Sequence, residues 1–116
     1  MRDRNEVVLK KIIQYADEIS GTIKNLNVNL VEFKRNYIAK NAISMCILQI
    51  GELTGTLTDD FKAAHGKVSW RNYTRIRNRA AHAYSSMDME ILWNIATVDI
   101  PELKAYCECI LAETEK

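Results

Sequence analysis

Apolar residues recur at helical spacing along nearly the whole chain. Leu9, Ile12, Ala16, Ile19, Ile23 and Leu26 follow one another at alternating steps of three and four, which predicts a first helix with a single apolar stripe, weakened locally by Gly21. Asn25, Asn27 and Asn29 mark a turn, and Asn29 is placed to cap the next helix. That helix is expected over residues 30–57. It begins amphipathic at Leu30, Phe33 and Tyr37, then turns apolar on every side at Ala42, Ile43, Met45, Cys46, Ile47, Leu48 and Ile50. A helix apolar all round must be covered all round, so it takes a central position or meets a second protomer. Gly51 and Gly55 loosen its end, and Asp59-Asp60 start a short helix that stops near Gly66.

A third long helix is predicted over 69–84. Ser85, Ser86 and Asp88 then offer caps for a helix carrying Ile91, Leu92, Ile95 and Ala96. Pro101 suits the first turn of a last helix, with Glu102 at its dipole-favoured end and a stripe of Leu103, Cys107, Ile110 and Leu111. No stretch alternates as a strand would. The expectation is an all-α bundle forming a single domain over 1–116.

Composition narrows this picture. One proline and four glycines in 116 residues argue against a many-turned β-sandwich or barrel. No apolar run reaches the ~20 residues of a membrane helix. The mixed-charge first ten residues do not read as a signal peptide. Three cysteines, Cys46, Cys107 and Cys109, form no disulfide framework and point to a reducing cytoplasm. Cys107 and Cys109 diverge by about 200° on a helix, so they do not chelate, and no metal motif is present.

The net charge of +1 conceals an uneven distribution. Residues 61–87 hold six basic side chains (Lys62, Lys67, Arg71, Arg75, Arg77, Arg79) and no acid, leaving a net of −5 elsewhere. Such a block suits a phosphate or nucleic acid, although a solvated helix face accounts equally well for charge alone. On a helical wheel Tyr73, Ile76, Ala80 and Ala83 form the core side, and Arg71, Asn78, His82, Arg75 and Arg79 form one basic face about 100° wide. Arg77 stands apart, with Trp70 and Tyr84 within about 20° of it, an aromatic shoulder. An arginine there, one turn from a histidine among arginines, fits phosphate binding combined with proton transfer.

The series Arg77-x4-His82-x-Tyr84, with Asn78 after the arginine, resembles the R-x4-H-x-Y signature of HepT-like toxins in the HEPN superfamily. Ile50-Gly51-Glu52, Trp70-Arg71, Asp88-Met89-Glu90-Ile91-Leu92-Trp93 and Asp99-Ile100-Pro101-Glu102-Leu103 resemble the family's flanking pieces in the same order. Together they span residues 50–111. Ser85-Ser86 departs from the bulkier residues and glycine that the family often has there.

The resemblance implies a four- to five-helix up-and-down bundle, dimeric, acting as a metal-independent endoribonuclease toxin with no cofactor. It also implies pairing with a minimal nucleotidyltransferase antitoxin, and tRNA as a reasonable RNA target. His82 would be the general acid or base, and Arg77 would stabilise the phosphorane-like transition state. Asn78 would orient the imidazole or a phosphate oxygen. Arg71, Arg75 and Arg79 would hold flanking RNA phosphates. Tyr84 would be the position where the partner attaches AMP. On a straight helix Arg77 and His82 lie about 140° apart, so the expectation is a distorted helix or a site shared by two chains of a homodimer. Glu52 is a candidate partner for a site arginine. The competing reading is a catalytically silent HEPN module that binds a nucleotidyltransferase or nucleotides; the intact Arg77, Asn78, His82 and Tyr84 set favours the enzyme.

Overall fold

The computed structural model describes residues 3–81 and 89–114, with the side chains of 79–81 left out, and every regular element within them is helical. In chain order these are α1 (Arg4–Asn25), α2 (Leu30–Arg35), α3 (Tyr37–Gly55), α4 (Asp59–Ala64), α5 (Trp70–Ala81), α6 (Met89–Asn94) and α7 (Ile100–Thr114), with a π-helical turn at Ile95–Asp99 joining the last two. The all-α bundle read from periodicity is the architecture observed.

The first turn follows the expected chemistry. Asn27 takes a left-handed φ of 51°, and the Asn29 side chain accepts from the Glu32 amide as the N-cap of α2. Leu9, Ile12, Ala16 and Ile19 are buried as predicted, whereas Leu26 is exposed. The single helix expected over 30–57 is corrected: it is two helices, broken at Asn36. That residue has extended backbone (φ −89°, ψ 99°), and its side chain accepts from the amides of Ile38 and Ala39. An asparagine that bonds the following amides competes with helix continuation, and here it wins.

Helix α3 lies between α1 and α5, and α1 also meets α7. That central position accounts for its apolar character: Ile43, Cys46, Ile47 and Ile50 are buried, and Ala42 and Leu48 partly so. The cover is incomplete, since Ile38 and Met45 remain 58% and 56% exposed on one face. At the far end of α3, buried Asn5 of α1 clamps the corner into α4. Its amide nitrogen donates to Thr58 Oγ1 and its carbonyl accepts from the Thr58 amide, both at 3.1 Å. Thr58 in turn caps α4 by accepting from the Phe61 amide.

Pro101 and Glu102 stand in the first turn of α7, as expected, but α7 is continuous with the helix before it. Helix α6 runs through the π turn straight into α7, and the Ile100 amide bonds back to the Ile95 carbonyl, five residues earlier. Proline has no N–H and its ring crowds the carbonyl four residues before it, so a locally widened turn lets the helix carry Pro101 without a break. Leu103, Cys107, Ile110 and Leu111 form its buried stripe, as expected. The proposed caps Ser85, Ser86 and Asp88 lie outside the described residues. No helix among the described residues is long and apolar enough to cross a membrane.

Candidate nucleic-acid site

Helix α5 carries the candidate site, and its placement starts with small residues. Gly51 sits against α5 so closely that a Cβ there would fall 2.9 Å from Arg77 Cβ, 3.0 Å from Arg77 N and 3.1 Å from the Tyr73 carbonyl oxygen. One helix turn further, the Thr54 and Thr74 hydroxyls lie 3.0 Å apart, with Thr54 also donating to the Gly51 carbonyl and Thr74 to the Trp70 carbonyl. Buried Tyr73 and Ile76 complete the inner face of α5, and the Tyr73 hydroxyl donates to the Asp99 carbonyl at 2.9 Å, tying α5 to the π turn. Burial, with the Asp99, Glu102 and Cys107 charges adding to it, pushes that phenol up to about 12, so it remains a donor. The glycines taken from sequence as loosening α3 therefore have a different role at Gly51. There α3 and α5 approach closely, whereas a Cβ at Gly55 would meet only ordinary contact, 3.6 Å from Thr74 Cγ2.

This contact sets the position of Arg77. Its Nε is ion-paired with Glu52 Oε1 on α3, each side chain about half exposed. The pair borders a cavity of about 420 Å³ lined by Gly51, Glu52, Gly55, Thr56, Thr74 and Arg77. Because Glu52 occupies the Nε side of the guanidinium, the two terminal nitrogens keep their N–H groups for a bidentate phosphate contact. The sequence singled out Glu52 as a partner for a site arginine, and Arg77 is that arginine.

The aromatic shoulder expected beside Arg77 is corrected for Trp70. Its indole N–H donates to the His65 carbonyl at 2.7 Å, and its ring lies 5.9 Å from Phe61 and 6.1 Å from Tyr106. A wheel records angle and ignores axial rise; Trp70 precedes Arg77 by seven residues, about 10 Å along the helix. Arg71, Arg75 and Asn78 are exposed, as a phosphate-binding face requires. Arg79 is helical in its backbone. His82 and Tyr84 lie outside the described residues.

A second groove, which the sequence did not signal, opens on the other flank of α5. It is lined by Asn72, Arg75, Ile76, Ile91, Asn94, Ile95 and Asp99, with a volume of about 490 Å³. It exists because the π turn brings Asn94 and Asp99 alongside α5, a juxtaposition that wheel arithmetic on one helix does not contain. The Asp99 carboxyl is held above the usual range by burial and then by Glu102.

The family model "Ribonuclease HepT-like" matches residues 11–110. A Thermococcus cleftensis protein named "Probable ribonuclease HepT" is 39% identical over 59 residues, 51% of this chain and 54% of its own length, so this chain spans about half of that relative. Two Methanocaldococcus jannaschii proteins named "Putative RNase" are each 28% identical, one over 92% of this chain and 87% of its own length, the other over 88% and 92%. No solved structure matches the chain. A family match over residues 11–110, containing both Arg77 with its Glu52 partner and the R-x4-H-x-Y series, places the chain in the ribonuclease HepT-like family.

Proposed function

We propose that the protein is a metal-independent endoribonuclease whose substrate supplies its own nucleophile. The observation that carries this reading is Arg77, wedged over Gly51 and held by Glu52 with its phosphate-binding edge free, five residues before His82 in a chain of the HepT-like family. In the reaction His82 takes the proton of an RNA 2′-hydroxyl, and the oxygen attacks the adjacent phosphorus. The P–O5′ bond breaks, and the leaving 5′-oxygen takes a proton from water while the His82 imidazolium returns its own to solvent, giving a 2′,3′-cyclic phosphate and a 5′-hydroxyl end. Arg77 neutralises the charge that accumulates on the phosphorane oxygens. Asn78 orients the imidazole or a phosphate oxygen, and Arg71, Arg75 and Arg79 hold flanking phosphates without reading sequence.

Two chains build the complete site in this reading. The exposed Ile38 and Met45 on α3 support a second copy as their cover. The protein acts as the toxin of a toxin–antitoxin pair in the cytoplasm. Its minimal nucleotidyltransferase partner silences it by transferring AMP from ATP to the Tyr84 phenol oxygen, with release of pyrophosphate. The added phosphate brings negative charge near Arg77 and obstructs the RNA path.

Incubation of RNA in chelator tests the chemistry. Wild type should leave 2′,3′-cyclic ends, His82→Ala should leave RNA intact while keeping its helical circular dichroism, and DNA should survive. Full cleavage by His82→Ala would overturn the assignment. For regulation, intact-mass spectrometry after incubation with the nucleotidyltransferase and ATP should show AMP added to wild type and none to Tyr84→Phe. Equal addition to both would remove Tyr84 as the site.

A further inference from the structure

The groove between α5 and the π turn has the composition of a base-recognition slot. Its floor is apolar, made of Ile76, Ile91 and Ile95, and Ile91 is 41% exposed although it faces a concave surface. Its rim is polar, made of Asn72, Arg75, Asn94 and Asp99. Among the described residues no hydrogen bond or ion pair engages the side chain of any of these four, so their donors and acceptors are free for a ligand. At about 490 Å³ the groove falls in the ordinary range for small-ligand sites, about 300–1,000 Å³.

The distribution of charge around α5 leads a strand into it. The Arg77–Glu52 cavity lies on one flank of the helix and this groove on the other. The exposed side chains of Arg71, Arg75 and Asn78 cover the face between them. A single strand whose phosphate sits at Arg77 and whose backbone crosses that basic face brings a neighbouring nucleotide to the groove. Unpaired RNA bases are read in this manner, splayed from the stack and bonded along their edges.

We infer that this groove binds an unstacked guanine of the RNA strand, with the Asp99 carboxylate accepting from its N1–H and N2–H groups and the Asn94 side-chain amide donating to O6. Guanine is the base whose edge offers two adjacent donors to one carboxylate and, beside them, an acceptor to an amide. Cytosine, adenine and uracil each offer that carboxylate a single donor position. Ile76, Ile91 and Ile95 cover one face of the ring, and removing Ile91 from water adds a driving force without base preference. The slot rests on the ribonuclease reading for its RNA strand but not for its recognition chemistry.

The test uses 2′-O-methyl RNA pentamers, which lack the nucleophile and cannot be cut. Binding of a uridine pentamer is compared with that of pentamers carrying one central guanine, adenine or cytosine, by fluorescence anisotropy with the full chain. The guanine pentamer should bind about tenfold tighter than the others, since a good bidentate base contact discriminates by about 1–3 kcal/mol. Asp99→Asn, which keeps the side-chain shape, and Asn94→Ala should each lose that preference while still binding all pentamers at the uridine level. Equal affinity for all four in wild type, or an unchanged guanine preference in Asp99→Asn, overturns the slot. The two readings separate cleanly. Guanine preference in a protein that cuts no RNA sinks the nuclease and keeps the slot, whereas cleavage with no base preference sinks only the slot.

Discussion

Gly51→Ala is the sharpest test of how α3 positions the site. The added methyl would sit 2.9 Å from Arg77 Cβ and 3.0–3.1 Å from backbone atoms of Arg77 and Tyr73, against an ordinary contact of 3.4–4 Å. No rotamer relieves a clash with backbone, so α3 and α5 must separate by about 0.5 Å or more. Overpacking of this kind costs about 1–3 kcal/mol, and the contact with two backbone segments places it in the upper half of that range. Alanine recovers about 1 kcal/mol of helix preference over glycine. The net loss is about 1–2 kcal/mol, which in a domain of this size lowers Tm by about 4–8 °C. Arg77 moves with α5 relative to Glu52. Since a 1 Å misplacement costs about a hundredfold, RNA cleavage should fall about tenfold. Differential scanning calorimetry and a cleavage assay measure the two effects. Gly21→Ala is the control, because nothing lies within 4 Å of its added carbon. It should show the propensity gain alone and raise Tm by a few degrees. A Gly51→Ala protein that melts at or above wild type and cuts RNA normally would refute the close-approach reading.

Other substitutions probe separate links. Glu52→Ala should change stability by less than about 1 kcal/mol, because the pair is half exposed, yet lower kcat more than it raises KM; Glu52→Gln, whose amide oxygen still accepts from Arg77 Nε, should restore part of the loss. Unchanged kinetics in Glu52→Ala would end its positioning role. Burial, with Glu18 and Glu108 adding to it, pushes the Cys46 thiol up to about 11 and Cys107 to about 12, while Cys109 is exposed. The buried thiols stay protonated until pH approaches those values, so N-ethylmaleimide at pH 8 should add once to the native protein and three times after unfolding, read by intact mass. Asn36→Ala removes the acceptor for two amides at the start of α3 and should cost about 1 kcal/mol in a denaturant melt.

Much of this protein was legible in one dimension. Helical periodicity is local, so the stripe from Leu9 to Ile19, the cap at Asn29, and the buried run from Leu103 to Leu111 follow from spacing and short-range bonding. The Asn36 break was local too, but an asparagine inside an otherwise apolar helical pattern is ambiguous until the backbone shows which amides it bonds. The order of motifs around Arg77 carries the family resemblance, and Glu52 is legible there only as a candidate partner for a site arginine. Distances between helices decided the rest. Arg77 meets Glu52 because Gly51 lets α5 approach the α3 backbone, and Trp70 turns to Phe61 and Tyr106, since packing partners depend on axial position as well as wheel angle. The groove holding Asn72, Asn94 and Asp99 unites residues from α5, the end of α6 and the π turn. Spacing within one helix fixes which side chains share a face; only the crossing of helices fixes which faces meet.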